Sequence, residues 1–147
     1  MRLILLLFAI QLSAQAHLPI NPVDIDKGLQ RYIDQYIDVM TAAGVEIPNQ
    51  ERFWVKFAGD NIVRPPVVGM AFGMFDPKSV VVGITPRLLA LDKQYLKWVL
   101  WHELTHDLFD IRHESGLWLM MPSLPEYITD YDVERALCDV ADYLAGN

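Results

Sequence analysis

The chain has 147 residues, 52% of them apolar, with 12 lysines and arginines against 19 acidic residues for a formal net charge of −7. That length allows one domain with one hydrophobic core. The acidic balance argues against nucleic acid or an anionic membrane as a partner, and a single cysteine, Cys138, excludes an internal disulfide.

Met1-Arg2, the apolar run Leu3 to Leu12 and the A-x-A triplet Ala14-Gln15-Ala16 are the three parts of a secretory signal peptide. Residues 1–16 are therefore expected to be removed on export to the periplasm or the extracellular space, leaving one domain over residues 17–147. The apolar run is too short to cross a bilayer, so no stable membrane association is expected. Ten acidic residues follow Trp101, against only Arg112 and Arg135. Such a surface keeps an exported protein soluble, or else favours a cation or a basic substrate. Cys138 is expected to be buried as a small apolar residue.

Asn21-Pro22 reads as a helix start, an N-cap followed by proline at the first helical position. From there Ile25, Leu29, Ile33, Ile37 and Met40 recur at helical spacing, widened by Tyr32 and Tyr36, until Gly44. Phe53, Val55 and Phe57 alternate with Trp54 and Lys56, which predicts a strand. Val67 to Phe75 and Val80 to Ile84 flank Asp76-Pro77-Lys78-Ser79 and predict a hairpin, with Gly69 and Gly73 allowing a bulge or a close backbone approach. A long helix is expected from about Asp92 to about Phe109, with Trp98 and Trp101 in the core. Residues 110–128 carry Gly116, Pro122 and Pro125 and read as irregular. Thr129 then caps a last helix with a buried stripe of Val133, Leu137, Val140 and Leu144. The expected fold class is α+β: three helices packed on a small twisted sheet of three to four strands.

The chemistry concentrates in the long helix at His102-Glu103-Leu104-Thr105-His106. A step of four residues sets two imidazoles one turn apart on one side of a helix, the spacing of two ligands to one zinc ion. Glu103 lies on the same turn but rotated away, where a carboxylate serves a water and not the metal. With four histidines and six glutamates in the chain, chance yields this pattern on the order of a few times per thousand chains. Catalytic zinc takes three protein ligands and keeps a position open. His113, Asp110, Glu126 and Glu134 can be considered for the third. His113 is preferred because a neutral imidazole is the commonest zinc ligand and seven residues suffice to leave the helix and turn back; Glu126 is the runner-up.

The motif resembles that of the zincin metallopeptidases. With a nearby third histidine and then Met120-Met121-Pro122, it is similar to the metzincin branch, in which a methionine lies beneath the metal. Also similar are small secreted bacterial proteins labelled as metallopeptidases, which share a strand pair, a turn like Ile84-Thr85-Pro86-Arg87, the zinc helix, a third histidine and a Met-Pro segment. That likeness spans roughly residues 52 to 128. Phe109 and Arg112 stand where the metzincin pattern has a glycine and its third histidine, and His113 comes one residue later. The other zincin branch, with a glutamate about twenty residues on and an aspartate one turn beyond it, maps onto Glu126 and Asp130.

The resemblance implies a zincin-like domain with the motif on its central helix, one zinc ion per chain, and hydrolysis of a peptide or protein substrate. Glu103 would take a proton from an activated water and return it to the leaving amine. An extended substrate would add to an exposed sheet edge, for which Val67 to Phe75 is the expected strand. Tyr127 and Tyr131 are possible oxyanion donors. Two alternatives stay open: a non-catalytic secreted binding module with a structural or decayed zinc site, and a zinc amidase acting on cell-wall amides.

Overall fold

The computed structural model describes residues 23–146; the expected leader and the expected helix start at Asn21-Pro22 lie outside them. The elements are β1 (Val23–Ile25), α1 (Lys27–Ala42), β2 (Arg52–Phe57), β3 (Gly69–Ala71), β4 (Ser79–Ile84), α2 (Lys93–Phe109) and α3 (Asp130–Ala145). The class is α+β, with three helices and one four-stranded mixed sheet of order β1-β2-β4-β3. β1, β2 and β4 run parallel, and β3 closes one edge antiparallel to β4.

One expectation is corrected at the start. Val23–Ile25 is not the first turn of a helix but an edge strand, and α1 begins only after Asp26. The cause is long-range pairing. Asp26 N–H donates to the Val55 carbonyl at 3.0 Å, and its carboxylate accepts Phe57 N–H at 2.7 Å. Lys56 pairs with Asp24 across the same two strands. Three residues with helical spacing are outweighed by a neighbouring strand that satisfies their backbone. From Leu29 onward the expected stripe is buried, and Gly44 at φ +82° ends the helix in the left-handed conformation.

β2 alternates as expected, with Phe53 and Val55 fully buried. The hairpin also forms, but with a first strand of only three residues. The Asp76 carboxylate tightens its turn by accepting Lys78 N–H and the Ser79 hydroxyl. α2 contacts β3, β4, α1 and α3, and every residue from Leu96 to Leu108 is buried. Such a helix needs a partner for each polar group it carries. Lys97 meets Glu134 at 2.8 Å, and Thr105 donates to the Trp101 carbonyl at 2.7 Å.

α3 starts at a reciprocal capping box between Thr129 and Asp132, and its Val133, Leu137 and Val140 join the same core as Trp98 and Trp101. Cys138 is exposed, not buried. It faces away from that stripe, and partial burial and the carboxylates of Asp142, Asp139 and Glu134 push its thiol pKa up. Among the described residues no helix is long and apolar enough to cross a membrane.

Candidate metal centre

His102 and His106 lie one turn apart in α2, both buried. Their ring orientation is set by main-chain carbonyls from the segment that follows. His102 Nδ1–H donates to the Leu119 carbonyl and His106 Nδ1–H to the Ile111 carbonyl, each at 2.6 Å. These bonds leave both Nε2 atoms unprotonated in the neutral rings and aim their lone pairs away from the donors. Burial depresses both imidazoles, His102 to a pKa of about 4, so the neutral form prevails near pH 7.

The third ring arrives through the end of the helix. Asp110 adopts the left-handed conformation at φ 50° and ψ 31°, and its N–H donates to the His106 carbonyl at 2.9 Å. Aspartate tolerates this region better than most residues. The chain reverses there, presents the Ile111 carbonyl to His106, and brings His113 over the two helical rings. The three Nε2 atoms stand 3.0, 3.0 and 3.2 Å from one another. With both helical Nε2 atoms lacking a proton, the contact between them is not a hydrogen bond but a meeting of lone pairs. A cation is the species that makes such a convergence favourable. His102, His106 and His113 are the group that could hold a metal ion among the described residues.

The other residues considered for the third ligand are elsewhere. Asp110 is the helix cap, with an exposed carboxylate 3.9 Å from Arg112. Glu134 pairs with Lys97. Glu126 is exposed, its carbonyl accepts the Tyr95 hydroxyl at 2.9 Å, and its side chain is not part of the histidine group. Met120 is fully buried in the core, whereas Met121 is exposed and faces the cavity beside the histidines. Tyr127 and Tyr131 are 80% and 69% exposed and are not among the residues that line that cavity.

Glu103 is 8% exposed. Burial first, and the Asp107 carboxylate one turn on second, push its pKa from 4.5 up to about 8, against the opposing pull of the Ala71 amide. The backbone of Gly69 lies so close that a Cβ there would stand 2.9 Å from Glu103 Cγ and Oε1. The three imidazoles and Glu103 open into a cavity of about 820 Å3. One wall is the segment 66–71 with Met74, and the others are Trp98, Val99, residues 112–114 and residues 121–124.

Sequence reasoning missed the carbonyls of Leu119 and Ile111, for which side-chain identity carries no signal. It also missed Asp107, a carboxylate four residues after Glu103 inside an otherwise apolar helix, a position where an acid needs dedicated partners. Burial raises its pKa from 3.8 to about 6, offset by the amides of Val81, Gly73 and Met74. Comparison with known protein families, with curated proteins and with solved structures found no match.

Proposed function

We propose that this domain is a zinc-dependent peptidase of zincin type, with His102, His106 and His113 as the zinc ligands and Glu103 as general base. The observation that carries the proposal is the convergence of three Nε2 atoms, two of them with lone pairs fixed by Nδ1 bonds, beside a buried acid on a cavity wall. The nitrogens fit zinc: the vertices of a tetrahedron with Zn–N bonds of about 2.05 Å are about 3.3 Å apart, against 3.0 to 3.2 Å here. The likeness to the metzincin pattern is supported in one further respect. That pattern separates its helix-ending glycine from its third histidine by three residues, and the same separation holds from Asp110 to His113, both displaced by one.

Zinc bound by these rings would supply a Lewis acid that acidifies water and polarises a carbonyl oxygen. Glu103 accepts a proton from the attacking water on its carboxylate and delivers it to the leaving amine. The outer edge of β3 takes the substrate backbone. Phe72 N–H bonds the Val81 carbonyl of β4, and the Val68 carbonyl accepts Thr85 N–H just after it. By alternation the N–H and C=O of Gly69 and the C=O of Ala71 point away from the sheet, open to an added strand, while Ala71 N–H faces Glu103. Val67, Met70, Trp98, Met121 and Leu124 make the cavity apolar, which favours a large apolar side chain beside the scissile bond.

The Glu103→Gln variant tests the reading. It should bind one zinc per chain and lose cleavage of an apolar-rich peptide library by several orders of magnitude. Unaltered cleavage would remove Glu103 from the mechanism, and parent protein that binds zinc yet cleaves nothing would overturn the peptidase assignment.

A further inference from the structure

We propose that Asp107 is a positioning residue that sets the spacing between β3 and α2, and with it the fit of an extended substrate over Glu103. The inference rests on the peptidase reading above. Asp107 is 7% exposed, and its Oδ2 accepts Val81 N–H at 2.7 Å and Gly73 N–H at 3.2 Å. These donors come from the two arms of the hairpin, Val81 from β4 and Gly73 from the turn that follows β3.

The Val81 bond is unusual for a strand residue. The Val81 carbonyl accepts Phe72 N–H at 2.7 Å, and in an antiparallel ladder its own N–H would return a bond to the Phe72 carbonyl. That N–H goes to the Asp107 carboxylate instead. Asp107 therefore occupies the next rung of the ladder, and β3 ends at Ala71 for that reason. The fit leaves no slack: a Cβ on Gly73 would stand 2.1 Å from the Ser79 carbonyl oxygen and 2.8 to 2.9 Å from both Asp107 carboxylate oxygens.

Gly69 and Glu103 make the matching contact four residues earlier on both segments. The edge strand is thus held to α2 at two points, a glycine backbone against a carboxylate side chain in each. One point is Glu103 itself, and the other is Asp107. Releasing Asp107 frees the wall that carries Met70 and Met74, and displaces the β3 edge relative to Glu103 without touching an imidazole.

Asp107→Asn, in metal-loaded protein, tests this. The remaining oxygen can still accept from Val81 and Gly73, but the charge that strengthens both bonds is lost. An NH2 group takes the place of Oδ1, which has no hydrogen-bond partner among the described residues. One zinc per chain should be retained. KM for an extended peptide should rise about tenfold with kcat changed far less, since substrate alignment is altered while Glu103 stays in place and loses only the pKa-raising charge of Asp107. Amide hydrogen exchange at Met70, Ala71 and Gly73 should accelerate about tenfold relative to α3. Exchange unchanged in this segment would overturn the clamp. A lowered melting temperature with parental KM would overturn the positioning role, since a carboxylate that only stabilises the fold leaves KM alone. Exchange needs no turnover, so a parent protein without cleavage counts against the peptidase reading while exchange still decides the clamp. If the Asn variant does not fold, Asp107→Ser, smaller and still an acceptor, is read the same way.

Discussion

Alanine at position 69 would carry a methyl group into the contact between β3 and α2. Its Cβ would stand 2.5 Å from Val99 Cγ1 and 2.9 Å from Glu103 Cγ and Oε1, where carbon atoms ordinarily keep about 3.5 to 4.0 Å. The strand must then retreat by about 1 Å or Val99 must leave a rotamer that its branched Cβ holds firmly in a helix. Overpacking of this kind costs about 1 to 3 kcal/mol. Gly69 does not need a positive φ, so alanine also stabilises by about 0.4 to 1 kcal/mol through the unfolded chain. The net loss is about 1 to 2 kcal/mol, which lowers Tm by roughly 4 to 8 °C in a domain of this size. Val99→Ala removes the atom responsible for the shortest contact, and Glu103 can swing into the cavity. The double variant should therefore lose less than the sum of the single losses, with a coupling of about 1 kcal/mol in a chemical-denaturation cycle. Additivity within about 0.5 kcal/mol would refute the steric account of this glycine.

Other outcomes follow from the same structure. Zinc at a hundredfold excess over Kd should stabilise the parent by about 2.7 kcal/mol; His106→Ala and His113→Ala should abolish that gain in a thermal-shift assay, while Glu126→Ala keeps it. Metal-free protein should lose stability as pH rises from about 4.5 to 8, because Glu103 and Asp107, with pKa values raised to about 8 and about 6, bind more protons folded than unfolded. It should also lose stability as pH falls from about 6.5 to 4, because His102, depressed to about 4, binds fewer. The two effects oppose one another between about pH 4.5 and 6.5, so urea midpoints should fall most clearly as pH rises from about 6.5 to 8, and a flat profile in that window would refute the burial assigned to Glu103. Thr129→Ala removes the hydroxyl that accepts Asp132 N–H, and should cost about 1 kcal/mol by denaturation.

Much of the helical framework could be read from neighbouring residues. The stripe Leu29 to Met40, the span of α2, the Thr129 cap and the α3 stripe are periodic or capped within a few positions of themselves, and local geometry repeats at the same short range. The pairing of His102 with His106 belongs to this class, because helical pitch alone brings them together. So does the alternation in β2.

What tertiary structure decided depends on groups far apart along the chain. Val23–Ile25 is a strand only because β2, thirty residues on, accepts and donates its backbone bonds. His113 joins the other imidazoles because Asp110 takes a left-handed conformation and the Ile111 carbonyl binds His106; neither can be read from side-chain periodicity, and on the sequence Glu126 stayed open as the runner-up. Cys138 is exposed because the core faces only one side of α3. Asp107 acquires its role from amides 26 and 34 residues away. Periodicity records which face of an element is apolar, whereas backbone amides and carbonyls are alike in every residue, so the partners they find are known only once the chain is folded.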